Sequence, residues 1–351
     1  MQRALDLAWG GWGRVHPNPL VGAVVLAGGE AVGEGFHAEF GGPHAEPVAL
    51  ARAGPRARGA TLVTTLEPCN HQGKQPPCTD AILAAGVRRV VAAMPDPNPA
   101  AAGGADRLRA AGVEVEIGLM REDAERQNGA FLHAVRTPAV PWVVLKLATT
   151  LDFRIADAAG RSRWISGPEA REYVHWLRAG FDGIGVGLGT ARADDPRLSV
   201  RGAVDVRIPP ARVVFDRRLD LPHGLGLVQT AAQTRTIVLA GPSASTERAL
   251  ALESRGVTVL RAAAPCDALE ALRAAGIASL LVEGGGGLAG VLLEAGLVDR
   301  FHWIQAPLWL GDRGVPAVQG LSSPPIADAA RWRPIERRAL GDDTLLVLER
   351  T

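Results

Sequence analysis

The stretch Pro43-His44-Ala45-Glu46, answered downstream by Pro68-Cys69 and by Pro76-Pro77-Cys78, decides how the chain is read. One imidazole and two thiols are three borderline-to-soft donors, the number a catalytic zinc takes when its fourth position stays open for water. Glu46 stands two residues from the imidazole, close enough to move protons for that water. Residues 70–77 between the two thiols have the composition of a loop, rich in Gly, Pro, Asn and Gln. A loop of that length closes at modest entropic cost, so Cys78 can return to Cys69. Residues 79–85 read as a helix with Cys78 at or just before its start, where helix N–H groups favour a thiolate. Residues 44–53 have helical spacing too, which puts His44 and Glu46 in a first turn. The expected metal ligands are therefore His44, Cys69 and Cys78, with Glu46 as acid and base. His71, inside the loop, is the alternative fourth donor that would close the site into a structural zinc.

Length and composition frame this motif. At 351 residues the chain is long for a single core, so two domains are expected. Hydrophobic residues make up 47% and charged residues 21%, a soluble globular profile with no apolar run long enough to cross a bilayer. The short amphipathic N-terminus does not read as a signal peptide. With two of three cysteines assigned to metal, Cys266 is left alone, which argues for a reducing cytoplasm. A net charge of +1 without a basic run excludes a general nucleic-acid binder. Of 38 basic residues only Lys74 and Lys146 are lysine, which marks both as places where a compact ammonium is needed.

Around the motif the pattern is α/β. Residues 4–9 read as a helix, and 21–26 with 31–36 as a hairpin turning at Gly28-Gly29. Strands at 61–66, 87–93 and 113–117 alternate with helices at 79–85 and 105–111, and a helix at 121–135 comes after them. The polar, two-proline stretch 136–141 is the linker, dividing the chain into 1–138 and 139–351. The second part begins with a buried-strand pattern at 142–147. Further strands fall at 183–187, 212–215, 236–239 and 280–282, and helices at 168–179, 246–254, 268–275 and 288–295. Between strand 280–282 and the last helix lies Glu283-Gly284-Gly285-Gly286-Gly287. Strand, glycine run and helix make a cradle in which backbone N–H groups reach a phosphate with no Cβ in the way.

The longer motifs are distinctive. The first half carries His16-Pro17-Asn18-Pro19-Leu20-Val21-Gly22, Thr65-Leu66-Glu67-Pro68-Cys69 and Asp96-Pro97-Asn98-Pro99. The second carries Leu145-Lys146-Leu147-Ala148 with Leu151-Asp152, Trp164-Ile165-Ser166, Ala193-Asp194-Asp195-Pro196 and Leu198-Ser199-Val200-Arg201. H-x-E with a later P-C and a second cysteine is the pattern of zinc nucleobase deaminases, here with a long gap between the thiols in place of two residues. Over nearly its whole length the chain resembles the bifunctional riboflavin-biosynthesis deaminase/reductases.

That resemblance implies a cytidine-deaminase-like α/β/α layer domain and, after it, a dihydrofolate-reductase-like α/β domain. It implies hydrolytic deamination of a diaminopyrimidinone ribosylamino 5′-phosphate with Zn2+, then reduction of the ribosyl group to ribityl with NADPH. Small-molecule pyrimidine ribosyl phosphates are the expected substrates, and a cytoplasmic homo-oligomer the expected form. Carried onto this sequence, Asn18 and Lys74 are substrate contacts of the deaminase, and Lys146 is the catalytic lysine near the ribose. Cofactor contacts fall at Ala148, Trp164, Thr190, Asp194, Gly285, Gly286 and Gly287. Substrate contacts of the reductase fall at Ser162, Arg178, Leu198, Arg201 and Glu283, with Arg178 and Arg201 suited to phosphate. The chain departs from the family at Phe153 and Ala105, where Gly is usual, and at Gly287, near which a hydroxyl residue is usual. The alternative is a zinc deaminase of another nucleobase or nucleoside with an impaired or repurposed reductase-like half.

Overall fold

The computed structural model of the protein describes residues 1–202 and 204–350. They form two compact units, Met1–Arg136 with Asp205–Ile208, and Thr137–Val204 with Pro209–Thr351.

The first unit runs α1 (Gln2–Ala8), β1 (Gly22–Ala27), β2 (Glu30–Phe36), α2 (Ala45–Ala53), β3 (Thr61–Leu66), α3 (Cys78–Ala85), β4 (Arg89–Met94), α4 (Gly104–Ala110), β5 (Glu114–Ile117), α5 (Arg121–Gln127) and α6 (Gly129–Arg136). Its sheet has the order β2-β1-β3-β4-β5. β1 is antiparallel to both neighbours, as a two-residue turn allows, whereas β3, β4 and β5 are parallel and need the crossovers that α3 and α4 supply. α2 lies tight on β2 because of two glycines. A Cβ at Gly33 would stand 2.2 Å from the Ala49 carbonyl oxygen, and one at Gly35 2.5 Å from that of Ala45. Side chains there would lift the helix, and its first turn carries Glu46 next to the capping residue His44.

The expected single helix at 121–135 is two helices, broken at Asn128. The Asn128 side chain serves another segment instead. Its Oδ1 accepts from the Leu20 N–H at 2.7 Å, and its Nδ2 donates to the Leu20 carbonyl at 3.1 Å. This buried bridge ties the turn at residues 16–19 to the helix pair.

The second unit runs β6 (Trp142–Thr149), β7 (Arg154–Ala156), α7 (Pro168–Arg178), β8 (Gly183–Gly187), α8 (Leu188–Asp194), β9 (Ala211–Phe215), α9 (Gly226–Gln229), β10 (Thr236–Ala240), α10 (Thr246–Glu253), β11 (Val257–Arg261), α11 (Pro265–Ala274), β12 (Ser279–Glu283), α12 (Gly286–Glu294), β13 (Arg300–Gln305), β14 (Val315–Pro316), β15 (Trp332–Leu340) and β16 (Asp343–Arg350). Among the described residues its main sheet has the order β11-β10-β9-β8-β12-β6-β13-β16-β15. The first seven strands of that order are parallel, and the last two pairings are antiparallel. From β8 the chain steps outward through β9, β10 and β11, then returns to place β12 between β8 and β6. That reversal opens a crevice at the carboxyl ends of β8, β12 and β6, where ligands of open α/β sheets bind. Both units are thus α/β, as the pattern predicted.

Six strands, β7, β11, β13, β14, β15 and β16, lie where the sequence pattern announces none. β15, which carries arginines and Pro334, is an edge strand whose register slips between Pro334 and Glu336. Phe153 takes φ 61°, a left-handed conformation that glycine adopts at no cost. Its ring packs edge-on against Trp303 with centroids 5.4 Å apart, and that contact offsets the strain. No described helix is long and apolar enough to cross a membrane.

Asn128→Ala strands a buried Leu20 N–H and carbonyl. The expected loss is about 2 kcal/mol of stability, read as a lower urea midpoint at unchanged slope; a midpoint equal to wild type would show that the bridge contributes nothing.

Candidate functional site

Three elements bring the metal donors of the first unit together. His44 caps the start of α2 with an extended backbone, Cys69 lies just past the end of β3, and Cys78 is the first residue of α3. The ligand atoms of His44, Cys69 and Cys78 all lie within 4.8 Å of one another. His44 Nδ1 is 3.2 Å from Cys78 Sγ and 3.5 Å from Cys69 Sγ, and the Cys78 N–H donates to Cys69 Sγ at 3.4 Å. The hydrogen bond from the Cys78 thiol, then that from His44, pulls Cys69 down to about 4, and the same sharing pushes Cys78 up. Two buried thiols that hold one proton between them are a set made for a dication. Among the described residues no other His, Cys, Asp or Glu joins this cluster. The donor set fits zinc with an open position.

Glu46 sits beside the donors, its Oε2 3.4 Å from Cys78 Sγ, almost wholly buried. Burial, and then the charge of Cys69, raises its carboxyl to about 7. The cavity there, about 270 Å³, is lined by His44, Glu46 and Cys69 together with Asn18, Lys74, His71, Phe40 and Asp96. The eight-residue insertion between the cysteines forms one wall, through His71, Gly73, Lys74 and Gln75.

Three residues of this cavity draw no role from the sequence. His37 donates from Nδ1 to the Pro43 carbonyl at 2.9 Å, which leaves Nε2 to accept from the Asn18 amide at 3.1 Å. It thereby orients the Asn18 carboxamide. Asp96 is raised to about 6, chiefly by burial. The aromatic ring of Phe40 carries the Lys74 ammonium 3.8 Å from its centroid. Asp96 lies in the D-P-N-P motif, which was the available signal; His37 and Phe40 sit in an irregular stretch with none.

The second unit gathers its predicted residues in one crevice of about 1340 Å³. Lys146, Ala148, Ser162, Trp164, Arg178, Thr190, Asp194, Leu198, Arg201, Glu283 and Gly285, Gly286 and Gly287 all line it. Glu283, at the end of β12, is its electrostatic centre. Arg178 grips it with Nε at 2.5 Å and Nη2 at 2.7 Å, and Lys146 Nζ stands 3.8 Å away. Burial alone would raise the Glu283 carboxyl; the Arg178 and Lys146 charges overcome it and hold the group at about 2. The third arm of Arg178 donates to the Ser199 carbonyl at 2.9 Å. All its nitrogens are therefore engaged within the protein. Burial pulls Lys146 below the usual lysine range.

The glycine run comes after β12 with Gly284 at φ 79° and Gly285 at φ 87°, both in the left-handed region. A Cβ on Gly285 would come within 2.9 Å of Thr190 Oγ1. α12 then starts at Gly286, its N–H groups turned to the crevice end of β12, which fits a phosphate of a dinucleotide. Asp194 accepts from Ser162 Oγ at 3.2 Å, and Trp164 is largely exposed with Arg171 stacked over its ring.

Comparison with known proteins agrees with this geometry. Residues 141–346 match the family described as RibD C-terminal domain, and residues 1–94 the cytidine and deoxycytidylate deaminase zinc-binding region. The chain is 42% identical to the riboflavin biosynthesis protein RibD of Escherichia coli, covering 99% of this chain and 98% of that one. It is 39% identical to its counterpart in Aquifex aeolicus, over 100% and 97%. Among solved structures, Acinetobacter baumannii RibD superposes with a TM-score of 0.85 at 37% identity, covering 100% and 97%. A diaminohydroxyphosphoribosylaminopyrimidine deaminase/5-amino-6-(5-phosphoribosylamino)uracil reductase from Thermotoga maritima gives 0.84 at 34%, with the same coverage.

Cys78→Ser removes one of three donors, and serine does not supply a thiolate. Zinc measured by atomic absorption on the purified protein is expected to fall far below one per chain; full retention would exclude Cys78 as a ligand.

Proposed function

The chain belongs to the RibD family, the bifunctional zinc-dependent deaminase and NADPH-dependent reductase of riboflavin biosynthesis, and from that premise we propose how its residues divide the work. Residues 1–138 carry the deamination and 139–351 the reduction, apart from the short segment Asp205–Ile208, which packs in the first unit.

In the deaminase, zinc held by His44, Cys69 and Cys78 supplies the Lewis acidity that makes a water nucleophilic near neutral pH. Glu46 takes one proton from the attacking water and delivers it to the ring nitrogen, then carries the second, from the hydroxyl left on the ring carbon, to the amine, which leaves as ammonia. A carboxyl raised to about 7 suits both halves of that task. Asn18, oriented by His37, holds the pyrimidine, and Lys74 meets the anionic end of the substrate. Asp96, which lines the same cavity, is a further contact for the ring. The buried carboxylate beside three metal donors is the observation that carries this reading, because a purely structural zinc needs no acid next to it.

In the reductase, NADPH supplies the hydride. Its addition at the ribosyl carbon needs one proton to balance it, and Lys146, midway along β6 and lining the crevice, is the acid that supplies it. Glu283, clamped by Arg178, fixes that ammonium and offers the sugar a hydrogen-bond acceptor. With Arg178 spent on Glu283, Arg201 is the cation for the substrate phosphate. Ala148, Trp164, Thr190, Asp194 and the run Gly285–Gly287 hold the cofactor, and Ser162 and Leu198 the substrate.

The choice of NADPH over NADH has a physical basis at the strand ends. A carboxylate after the strand would accept the ribose hydroxyl of NADH and repel a 2′-phosphate. Asp216 occupies such a place, but it is 2% exposed and its oxygens accept the N–H groups of Arg218 and Leu221. Arg217, next to it, lines the crevice with an exposed guanidinium. The substrates are small pyrimidine phosphates and not nucleic acid, consistent with the net charge of +1. We place the protein in the cytoplasm, in keeping with the free cysteines Cys69, Cys78 and Cys266, and as a homo-oligomer, in keeping with the exposed Trp309, Leu321 and Ile326.

Glu46→Gln is expected to keep its zinc and lower ammonia release by roughly 10²–10⁴-fold, while NADPH oxidation on supplied deaminated product continues. Normal ammonia release from that variant would refute the proton-transfer role. Arg217→Ala is expected to weaken NADPH binding by roughly tenfold, monitored by cofactor fluorescence, and to leave NADH unaffected; equal loss for both would deny Arg217 the 2′-phosphate.

A further inference from the structure

Asp205–Ile208 comes from the second half of the sequence yet packs within the first unit. The segment is fastened at several points. Arg207 donates from its backbone N–H to the Gly13 carbonyl at 3.1 Å, from Nε to the Arg14 carbonyl at 3.2 Å and from Nη2 to the His16 carbonyl at 2.7 Å. Its guanidinium carbon also stands 4.9 Å from the centroid of the Phe40 ring. Arg14 and Asp205 add an ion pair at 2.8 Å.

These contacts converge on residues that line the zinc cavity. The Asn18 N–H donates to the Val15 carbonyl at 2.9 Å, and the Phe40 N–H to the Arg14 carbonyl at 3.2 Å, so the turn held by Arg207 carries Asn18 and anchors Phe40. Phe40 in turn carries the Lys74 ammonium. Asn18, Phe40 and Lys74 all line the cavity, whereas Arg207 does not. Two cations therefore share one ring, and one of them forks across carbonyls two residues apart. A planar guanidinium fixes the spacing of two acceptors; a lysine ammonium reaches one at a time.

We propose that Arg207 is a positioning residue for deamination: it sets the turn at residues 13–18 and the Phe40 ring, and through them the substrate-facing Asn18 and Lys74. The proposal rests on reading this cavity as the deaminase substrate site. The deaminase site is then incomplete in residues 1–138 alone, because Arg207, from the later sequence, braces the residues that form its wall. The effect falls on substrate binding and not on the metal, since Arg207 touches none of His44, Cys69, Cys78 or Glu46.

The test uses the full chain and its Arg207→Ala and Arg207→Lys variants. Ammonia release gives KM and kcat, atomic absorption gives zinc, and NADPH oxidation on the deaminated product gives the second step. For Arg207→Ala, KM for the pyrimidine phosphate is expected to rise on the order of tenfold, with kcat within about twofold and with zinc and reduction unchanged. Arg207→Lys keeps the charge over Phe40 and loses the fork, so its KM is expected to fall between the two. A wild-type KM in Arg207→Ala overturns the proposal, and so does a parallel loss of zinc and of both activities, which would mean a role in folding only. Should Arg207→Ala not yield folded protein, Arg207→Lys decides alone: a raised KM supports the proposal and an unchanged one overturns it. Wild-type protein that releases no ammonia overturns the deaminase reading itself, and this proposal with it.

Discussion

A pair of buried thiols cannot both give up their protons unless a cation sits between them, and the first unit is arranged around that constraint. Cys69 and Cys78 share a proton, one pulled down and the other pushed up, with the His44 ring turned toward both. Each donor stands at the end of an element, where a residue or two of adjustment costs little. The demanding part is the approach of the helix that brings His44 and Glu46. Gly33 and Gly35 permit it, for any larger residue on β2 would collide with α2 backbone oxygens. The same approach buries Glu46, and burial is what raises its carboxyl toward neutrality.

The second unit meets the opposite problem, a carboxylate that must stay ionised while fully buried. Glu283 does so because two cations face it, Arg178 through two short bonds and Lys146 at longer range. Removing either would leave the other charges uncompensated in a low-dielectric wall. The three charges join β12, α7 and β6, so the crevice is braced where the sheet order reverses. The glycine run after Glu283 can be this open because β12 is already held by its pairing to β6 and β8 and by the buried Leu280, Leu281 and Val282, with the ion pairs bracing its end.

Much of this was legible in the sequence. The zinc set and Glu46 stood out because residues of rare type recurred in a fixed order, and the fold class came from alternating apolar periods. The departure at Phe153 from the family's usual glycine marked the position at which the backbone takes a positive φ. The features that escaped are those that only tertiary structure decides. Asn128 looked like one residue of a long helix, although it leaves the helix to satisfy Leu20. His37 acts through neighbours distant in sequence, so no spacing announces it. No apolar alternation announces β15, because an edge strand answers to its partner and not to a core. Arg178 was assigned to phosphate by type, whereas the fold engages all its nitrogens on Glu283, His175 and Ser199.

Phe153 and Trp303 form a corner in which one irregularity is offset by another. The backbone at 153 suits glycine, yet the ring there fills space against an indole whose Nε1 donates to Thr149 Oγ1 at 2.7 Å. Shrinking residue 153 relaxes the main chain and opens a void; shrinking residue 303 leaves the distortion with nothing to offset it. Neither single step is free of loss, while the two together define a different solution for the same corner. Drift at these sites is therefore expected to be correlated: once a lineage holds the aromatic pair, a change to a small residue at one position is blocked until its neighbour has moved.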